Sequence, residues 1–257
     1  MTHWIRYRHR AEIGFGTLDG DHILEHVGDM FETPKKSGRS IARSEVALLA
    51  PTSPSKIIAL WNNFHALAAK LEVAEPAEPL YLLKAPSSVT APDAVIARPA
   101  SYGGKIVYEG ELGIVIVRSC HRVTAAEAGA YIFGYTCVND VTAADIIAKD
   151  KTFAQWARAK SFDGFCPFGP VIAAEVDPSS FGVRTLLDGV ERQCYPIADM
   201  IFSAEELVSR LSQDMTLLPG DLICCGTSLG VGSIKGPVNV MTVAIDGIGE
   251  LRNELRQ

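Results

Sequence analysis

Residues 106–117 read Ile-Val-Tyr-Glu-Gly-Glu-Leu-Gly-Ile-Val-Ile-Val. The apolar and β-branched residues predict a buried strand, and two carboxylates interrupt it. Residues two apart on a strand share a face. Glu109 and Glu111 therefore point the same way, with no side chain on Gly110 between them. Two ionised carboxylates side by side in an apolar strand repel each other and lose hydration. A proton on one of them relieves that. So does a cation between them, and so does a strand end that lies in water. This stretch leaves all three open.

A chain of 257 residues, 47% hydrophobic, can bury one large domain, or one domain and a small module. The formal net charge of −6 gives no reason to expect nucleic acid or a membrane surface as partner. An anionic substrate would need local positive charge, from a metal or a placed lysine. The first residues are charged where a secretion leader would be apolar, and no apolar run is long enough to span a bilayer. The six cysteines have neither CxxC nor zinc-finger spacing. They are expected as reduced, mostly buried thiols of a cytoplasmic protein.

Residues 1–53 read as a small β-rich module, with short strands at 4–7 and 12–16 and a hairpin turn at Asp19-Gly20. Pro51-Thr52-Ser53-Pro54 marks a boundary, and residues 54–257 form the second, larger unit. Strands are expected at 56–60, 80–84, 131–138, 183–187, 191–194, 221–225 and 238–245. A helix is expected at 66–71, further helices after the capping boxes Thr124-Ala-Ala-Glu127 and Ser203-Ala-Glu-Glu206, and another opening at Thr142. Many strands and few helices predict an α+β, predominantly β fold.

Three further features bear on chemistry. Asp140 ends a strand; it is an Asx cap, or a third carboxylate beside Glu109 and Glu111. Three carboxylates would select a hard cation, Mg²⁺ or Mn²⁺, rather than zinc. Lys160 precedes an irregular, Gly- and Pro-containing loop; it is a surface lysine, or a charge aimed at a substrate. Gly226-Thr227-Ser228-Leu229-Gly230-Val231-Gly232 follows a strand. It is a plain turn, or a loop offering N–H groups and a hydroxyl to a carboxylate. It is neither a Walker loop nor a dinucleotide fingerprint.

The order of these segments resembles the fumarylacetoacetate hydrolase family. The segments are Tyr108-Glu109-Gly110-Glu111-Leu112, residues 134–140, residues 160–170, Met215-Thr-Leu-Leu-Pro-Gly-Asp221 and Gly226-Thr227. The resemblance runs from about Pro54 to the C-terminus. Leu82-Leu83-Lys84-Ala85-Pro86 and the C-terminal half are most similar to the decarboxylase/isomerase members of homoprotocatechuate catabolism, which act on 2-hydroxyhepta-2,4-diene-1,7-dioate. The resemblance implies a mixed β-sandwich/barrel roll, usually dimeric. It implies Mg²⁺ or Mn²⁺ on Glu109, Glu111 and Asp140, and Lys160 stabilising negative charge on the substrate. It also implies that Gly226 and Thr227 bind the substrate carboxylate. The metal would act as a Lewis acid on a 2-oxo acid and favour its enolate.

Two positions depart from the family pattern. Hydrolases of the family carry a His–Glu dyad that activates water; here Leu67 and Lys70 fall at those positions. His65, two residues earlier, is a replacement base if the loop is shorter, or otherwise a helix-start or packing histidine. Ala144 stands where many members have an arginine that holds an anionic group of the substrate; either the distal substituent of the substrate differs here, or a lysine such as Lys149 or Lys84 replaces it. The expectation is a Mg²⁺- or Mn²⁺-dependent, cytoplasmic, homodimeric enzyme of aromatic catabolism. Its substrate would be a small 2-oxo or 2,4-dioxo acid, cleaved by C–C hydrolysis of the acylpyruvate or fumarylpyruvate type. Decarboxylation or isomerisation of a diene-dioate or oxo-diacid is the alternative. A ligand-binding protein with degraded chemistry is the non-enzymatic one.

Overall fold

The computed structural model describes residues 1–256. Strand accounts for 45% of the chain and helix for 18%, in agreement with a predominantly β α+β fold. The strands form three sheets. The main path of the largest runs Lys35–Ala42, His22–Val27, Glu12–Asp19, Thr2–His9, Cys166–Ala174, Ile132–Asn139, Gly110–Ile116, Leu222–Cys224, Ile57–Trp61, Leu80–Lys84. Most neighbours are antiparallel, but Leu222–Cys224 runs parallel to Ile57–Trp61, so the sheet is mixed. It does not close; Lys35–Ala42 and Leu80–Lys84 are its edges.

The N-terminal strands join this sheet directly. Thr2, His3 and Trp4 pair antiparallel with Ala174, Ala173 and Ile172. The hairpin between Glu12–Asp19 and His22–Val27 closes with Asp19 opposite His22. Gly20 takes the positive φ (56°) that its tight turn needs. The polar residues 35–42 also form a strand, paired with His22–Val27.

A second sheet orders Val190–Pro196, Gly182–Leu187, Val238–Ile245, Gly249–Arg256 and Val95–Ala97. Its apolar face packs on the large sheet. Leu112 and Ile114 of one bury themselves with Val183, Val243 and Leu251 of the other. Removing such area from water is the main favourable term in folding. Helix Ala204–Asp214 adds Leu207 and Leu211 to the same core. Its predicted capping box is formed: the Glu206 N–H donates to Ser203 Oγ at 3.2 Å, and the Ser203 N–H to Glu206 Oε2 at 2.9 Å.

The stretch 106–117 is two strands, not one. Ile106–Tyr108 lies in a three-stranded sheet between Thr142–Ala143 and Gly232–Ser233, whereas Gly110–Ile116 lies in the large sheet. Glu109 is the residue at which the chain changes sheets. The Glu109 N–H donates to Asn139 Oδ1 at 3.3 Å, and its carbonyl accepts the Asp140 N–H at 2.8 Å. These bonds replace the ladder that the switch interrupts. Strand alternation therefore does not relate Glu109 to Glu111. The helix expected from Thr142 is a single turn, Ala144–Ile147. Thr142 and Ala143 pair instead with Val107 and Ile106.

Gly110 is glycine for a packing reason. A Cβ there would stand 2.3 Å from Thr185 Cγ2 of the facing sheet. All six cysteines are free thiols, five buried and Cys194 exposed. Among the described residues, no helix is long and apolar enough to cross a membrane.

Candidate active site

Strand register brings the three carboxylates together. Gly110 lies opposite Asn139, so the residues just beyond the pair, Glu109 and Asp140, meet where the two strands end. Glu111 projects from inside the large sheet. One oxygen from each of Glu109, Glu111 and Asp140 falls within 4.8 Å of the others. Asp140 and Glu111 are buried, and Glu109 retains 18% side-chain exposure. Burial pushes Glu111 well above the ordinary carboxylate range, and the neighbouring Asp140 and Glu109 push it further. Glu109 is raised by burial too, against the opposing pull of Lys160. Three converging all-oxygen donors, two of them buried and the third partly so, fit a hard divalent cation. That is an observation about the donors themselves, independent of the order in which they occur in the chain.

Lys160 is not a surface lysine. It ends the short helix Trp156–Lys160 and is 5% exposed. Its Nζ donates to Glu109 Oε2 at 2.6 Å, Asp140 Oδ2 at 2.6 Å and Thr142 Oγ1 at 2.8 Å. All three ammonium protons are thus engaged. Burial works against its charge, but Asp140, Glu109 and Glu111 outweigh it and hold the pKa above the ordinary lysine value. Asp140 is the reverse case. Burial opposes ionisation, but Lys160 and Lys84 keep its pKa below the usual one.

Lys84 lies on the far side of Asp140. It is wholly buried; its Nζ donates to Asp140 Oδ1 and, at 2.8 Å, to the Phe165 carbonyl. It does not line the cavity described below. The structure therefore does not place it where the expected contact with substrate could form. Lys84 ends the Leu80–Lys84 strand, which pairs antiparallel with Ile57–Trp61, and its buried charge finds its partner inside the protein. With both lysines bound to Asp140, the buried cluster holds three carboxylates and two ammonium groups.

The Gly226 loop reaches the same cluster. The Gly226 N–H donates to Glu111 Oε2 at 3.0 Å. The Thr227 hydroxyl donates to the Gly110 carbonyl at 3.0 Å and accepts from Gln193 Nε2 at 2.8 Å. Gln193 Oε1 accepts the Gly110 N–H at 3.0 Å. Gln193 thus ties the glycine between the two glutamates to the glycine-rich loop. The sequence reading treats it only as a hairpin residue. Its signal is a polar side chain on the inward face of that strand, beside inward-facing Tyr195.

Glu109, Glu111, Lys160, Thr142 and Thr227 line one end of a cavity of about 230 Å³. The remaining wall is largely apolar. It includes Trp61 and Trp156, whose rings lie 5.9 Å apart, and Leu67 and Leu71 from helix His65–Leu71. Neither tryptophan is singled out by sequence pattern. They come together because one ends a core strand and the other opens the helix that carries Lys160.

His65 is not part of this wall. It opens helix His65–Leu71, about half exposed, with Nδ1 2.6 Å from Glu75 Oε1. Leu67, the residue at the family's histidine position, faces the cavity instead. Two residues on a helix are about 200° apart, so the two side chains cannot share a face. Ala144 lines the cavity, and Lys149 does not.

Residues 56–256 match the family described as fumarylacetoacetate (FAA) hydrolase C-terminal, and residues 2–51 match one described as Rv2993c-like, N-terminal. The oxaloacetate tautomerase YisK of Bacillus subtilis is 35% identical, over 92% of this chain and 84% of its own. A 4-hydroxyphenylacetate degradation bifunctional isomerase/decarboxylase of Salmonella dublin is 34% identical, over 92% of this chain and 55% of its own. The crystal structure of a 2-hydroxyhepta-2,4-diene-1,7-dioate isomerase from Mycobacterium marinum superposes with a TM-score of 0.90. It shares 36% identity and covers 100% of this chain and 98% of its own.

Proposed function

This chain belongs to the fumarylacetoacetate hydrolase family, and on that premise we propose that it is an enzyme acting on a small 2-oxo acid through its enol form, in the breakdown of aromatic compounds. The observation that carries this reading is the Lys160 ammonium, 2.6 Å from both Glu109 and Asp140, at the polar end of an otherwise apolar cavity. Glu109, Glu111 and Asp140 would hold a divalent cation, Mg²⁺ or Mn²⁺. Bound there, it supplies Lewis acidity toward a keto oxygen and an adjacent carboxylate.

The protein's own groups support enol formation. Lys160 keeps a fixed positive charge beside the place where an oxyanion develops, and such preorganised charge is worth most in a site sheltered from water. Glu109, the most exposed of the three carboxylates, is on the cavity wall and within reach of protons exchanged there. Thr227 is held by Gly110 and Gln193 and presents its side chain to the same space. Enolisation, decarboxylation and double-bond shifts need only this charge and a proton transfer. Hydrolysis of a C–C bond needs, in addition, a base that activates water. Glu109, Glu111 and Lys160 are the titratable groups among the residues that line the cavity. The arrangement therefore favours tautomerisation, isomerisation or decarboxylation.

Hydrolysis is the second reading, and one observation favours it. His65 opens the helix whose Leu67 and Leu71 wall the cavity, and it is hydrogen-bonded to Glu75 in the segment beyond that helix. As the family resemblance implies, we take the protein as a cytoplasmic homodimer.

The test compares Mg²⁺-dependent turnover of oxaloacetate and of an acylpyruvate by wild type and His65→Ala. Conversion of oxaloacetate that survives the substitution, without acylpyruvate cleavage, is the expected result. Acylpyruvate cleavage abolished by the substitution would instead establish hydrolysis with His65 as base. No turnover of either, with or without metal, would overturn the enzymatic reading for 2-oxo acids.

A further inference from the structure

Gly110, between the two glutamates of the acidic cluster, has both its backbone groups bonded by side chains. Its N–H donates to Gln193 Oε1 at 3.0 Å. Its carbonyl accepts twice, from the Thr227 hydroxyl at 3.0 Å and from the Tyr195 hydroxyl. A carbonyl oxygen has two lone pairs, so this one is filled, and either donor alone would leave it bonded. Thr227 has a single proton to give. Gln193 Nε2 donates to the Thr227 oxygen at 2.8 Å and so occupies one of its lone pairs. The proton is on the Gly110 carbonyl, although Thr227 lines the cavity. A carboxylate or enolate oxygen brings no proton of its own. A hydrogen bond from Thr227 to such an oxygen therefore requires the hydroxyl to turn away from Gly110. A buried carbonyl left without any donor costs free energy comparable to a lost hydrogen bond. The Tyr195 hydroxyl removes that cost.

We infer that Tyr195 is a positioning residue: it keeps the Gly110 carbonyl bonded while the Thr227 hydroxyl turns its proton toward a substrate oxygen. It does so from outside the site. Tyr195 does not line the cavity. It is buried on strand Val190–Pro196 of the second sheet. Its ring packs edge-on against that of buried Phe64, with centroids 5.0 Å apart and planes at 78°. That packing holds the phenol at Gly110 whether or not the cavity is filled. Gln193 supports the same exchange, because its amide stays on the Thr227 oxygen and leaves the hydroxyl to act as a donor. The inference rests on the 2-oxo acid reading above and deepens it. Contact with Thr227 becomes an exchange of one hydrogen-bond acceptor for another, and the Gly110 peptide between Glu109 and Glu111 is undisturbed by it.

The test is calorimetry with Mg²⁺ and with oxalate, which presents the adjacent oxygens of a 2-oxo acid's head, alongside thermal unfolding. Tyr195→Phe keeps the ring against Phe64, and Thr227 still bonds the Gly110 carbonyl, so the variant folds. Its affinity for Mg²⁺ alone is expected to equal that of wild type. Its affinity for oxalate at saturating Mg²⁺ should fall about tenfold, the effect of losing one hydrogen bond to a charged group. Thr227→Ser should bind oxalate as wild type does, and Thr227→Val should lose at least as much as Tyr195→Phe. Because either donor alone serves Gly110, Tyr195→Phe combined with Thr227→Val should lower the Tm by more than the sum of the single changes. Unchanged oxalate affinity in Tyr195→Phe would overturn the inference. So would an equal weakening of Mg²⁺ and oxalate, which a displaced acidic cluster would produce, and so would additive losses in Tm. Oxalate bound by Thr227→Val as tightly as by wild type would overturn it too, and leave the 2-oxo acid reading standing. Failure of wild type to bind oxalate would overturn the 2-oxo acid reading itself, and the inference with it.

Discussion

The backbone N–H of Gly226, just past the end of the strand Leu222–Cys224, donates at 3.0 Å to the Oε2 of Glu111, near the start of the neighbouring strand Gly110–Ile116. This N–H, which the sequence reading gives to the substrate carboxylate, is engaged by a carboxylate of the protein. The loop therefore orients a member of the acidic cluster as well as forming part of the cavity wall. Its geometry depends on glycine: Gly226 has a φ of 85°.

Gly226→Ala puts a side chain into that left-handed conformation, with its Cβ 3.3 Å from the Leu60 carbonyl. The substitution should cost about 1–3 kcal/mol and misplace Glu111. Thermal unfolding and a Mg²⁺ titration by calorimetry should show a lower Tm and weaker cation binding together. Unchanged cation binding in a destabilised protein would show that the bond to Glu111 does not orient it.

Asp140→Asn removes the charge that both Lys84 and Lys160 face. Leaving buried ammonium groups uncompensated costs roughly 3–5 kcal/mol. Urea unfolding should register that loss. Adding Lys84→Met should recover part of it, because the double variant no longer buries the unmatched charge. A double variant as unstable as the sum of the two single ones would argue against the pairing.

Lys160→Met keeps most of the side chain's volume and removes its charge. Turnover of 2-oxo acids should fall by on the order of 10²–10³, the usual effect of deleting one preorganised electrostatic group. Lys160→Arg should not restore it, since a planar guanidinium cannot repeat the three bonds of a compact ammonium. Activity within tenfold of wild type in Lys160→Met would remove this residue from the mechanism.

The N-terminal strands carry their own pH signature. Burial, with a 3.1 Å hydrogen bond to Glu25 Oε1, pushes the Tyr7 phenol up to about 12 from its ordinary 10.0. The folded state therefore holds this proton more tightly than the unfolded chain. Its contribution is complete below pH 10 and is lost as pH rises toward 12. Wild type should lose stability across that window, and Tyr7→Phe should lose it less steeply. Parallel Tm-against-pH curves for the two proteins would contradict this.

How far the site could be read from the chain depended on how local its causes are. Glu109, Glu111 and Asp140 fall near one another because two short apolar segments pair antiparallel, and apolar β-branched runs are legible in sequence. Gly226 and Thr227 follow a strand and form a turn, which glycine spacing also marks. The second sheet's hairpin at Asp188-Gly189 and the capping box at Ser203 are local signals of the same kind, and both are present.

Other features depend on where distant segments meet. Alternation along 106–117 implies that Glu109 and Glu111 share a face, but the chain changes sheets at Glu109, and backbone bonds to residues 139 and 140 draw it there. Lys84 and Lys160 have the same chemistry in sequence. Only the packing puts one behind Asp140 and the other on the cavity wall. His65 and Leu67 are two residues apart, and the helical turn between them points the leucine inward and the histidine toward Glu75. The sequence by itself determined a β-rich fold and its hairpins and caps, because these rest on residue type and short-range periodicity; the acidic and lysine residues of the site stood out only through the order of segments that resembles the family. The tertiary structure decided which charges face each other and which face the cavity. In the acidic cluster those pairings join residues 20 to 56 positions apart, and only a packed core fixes their directions.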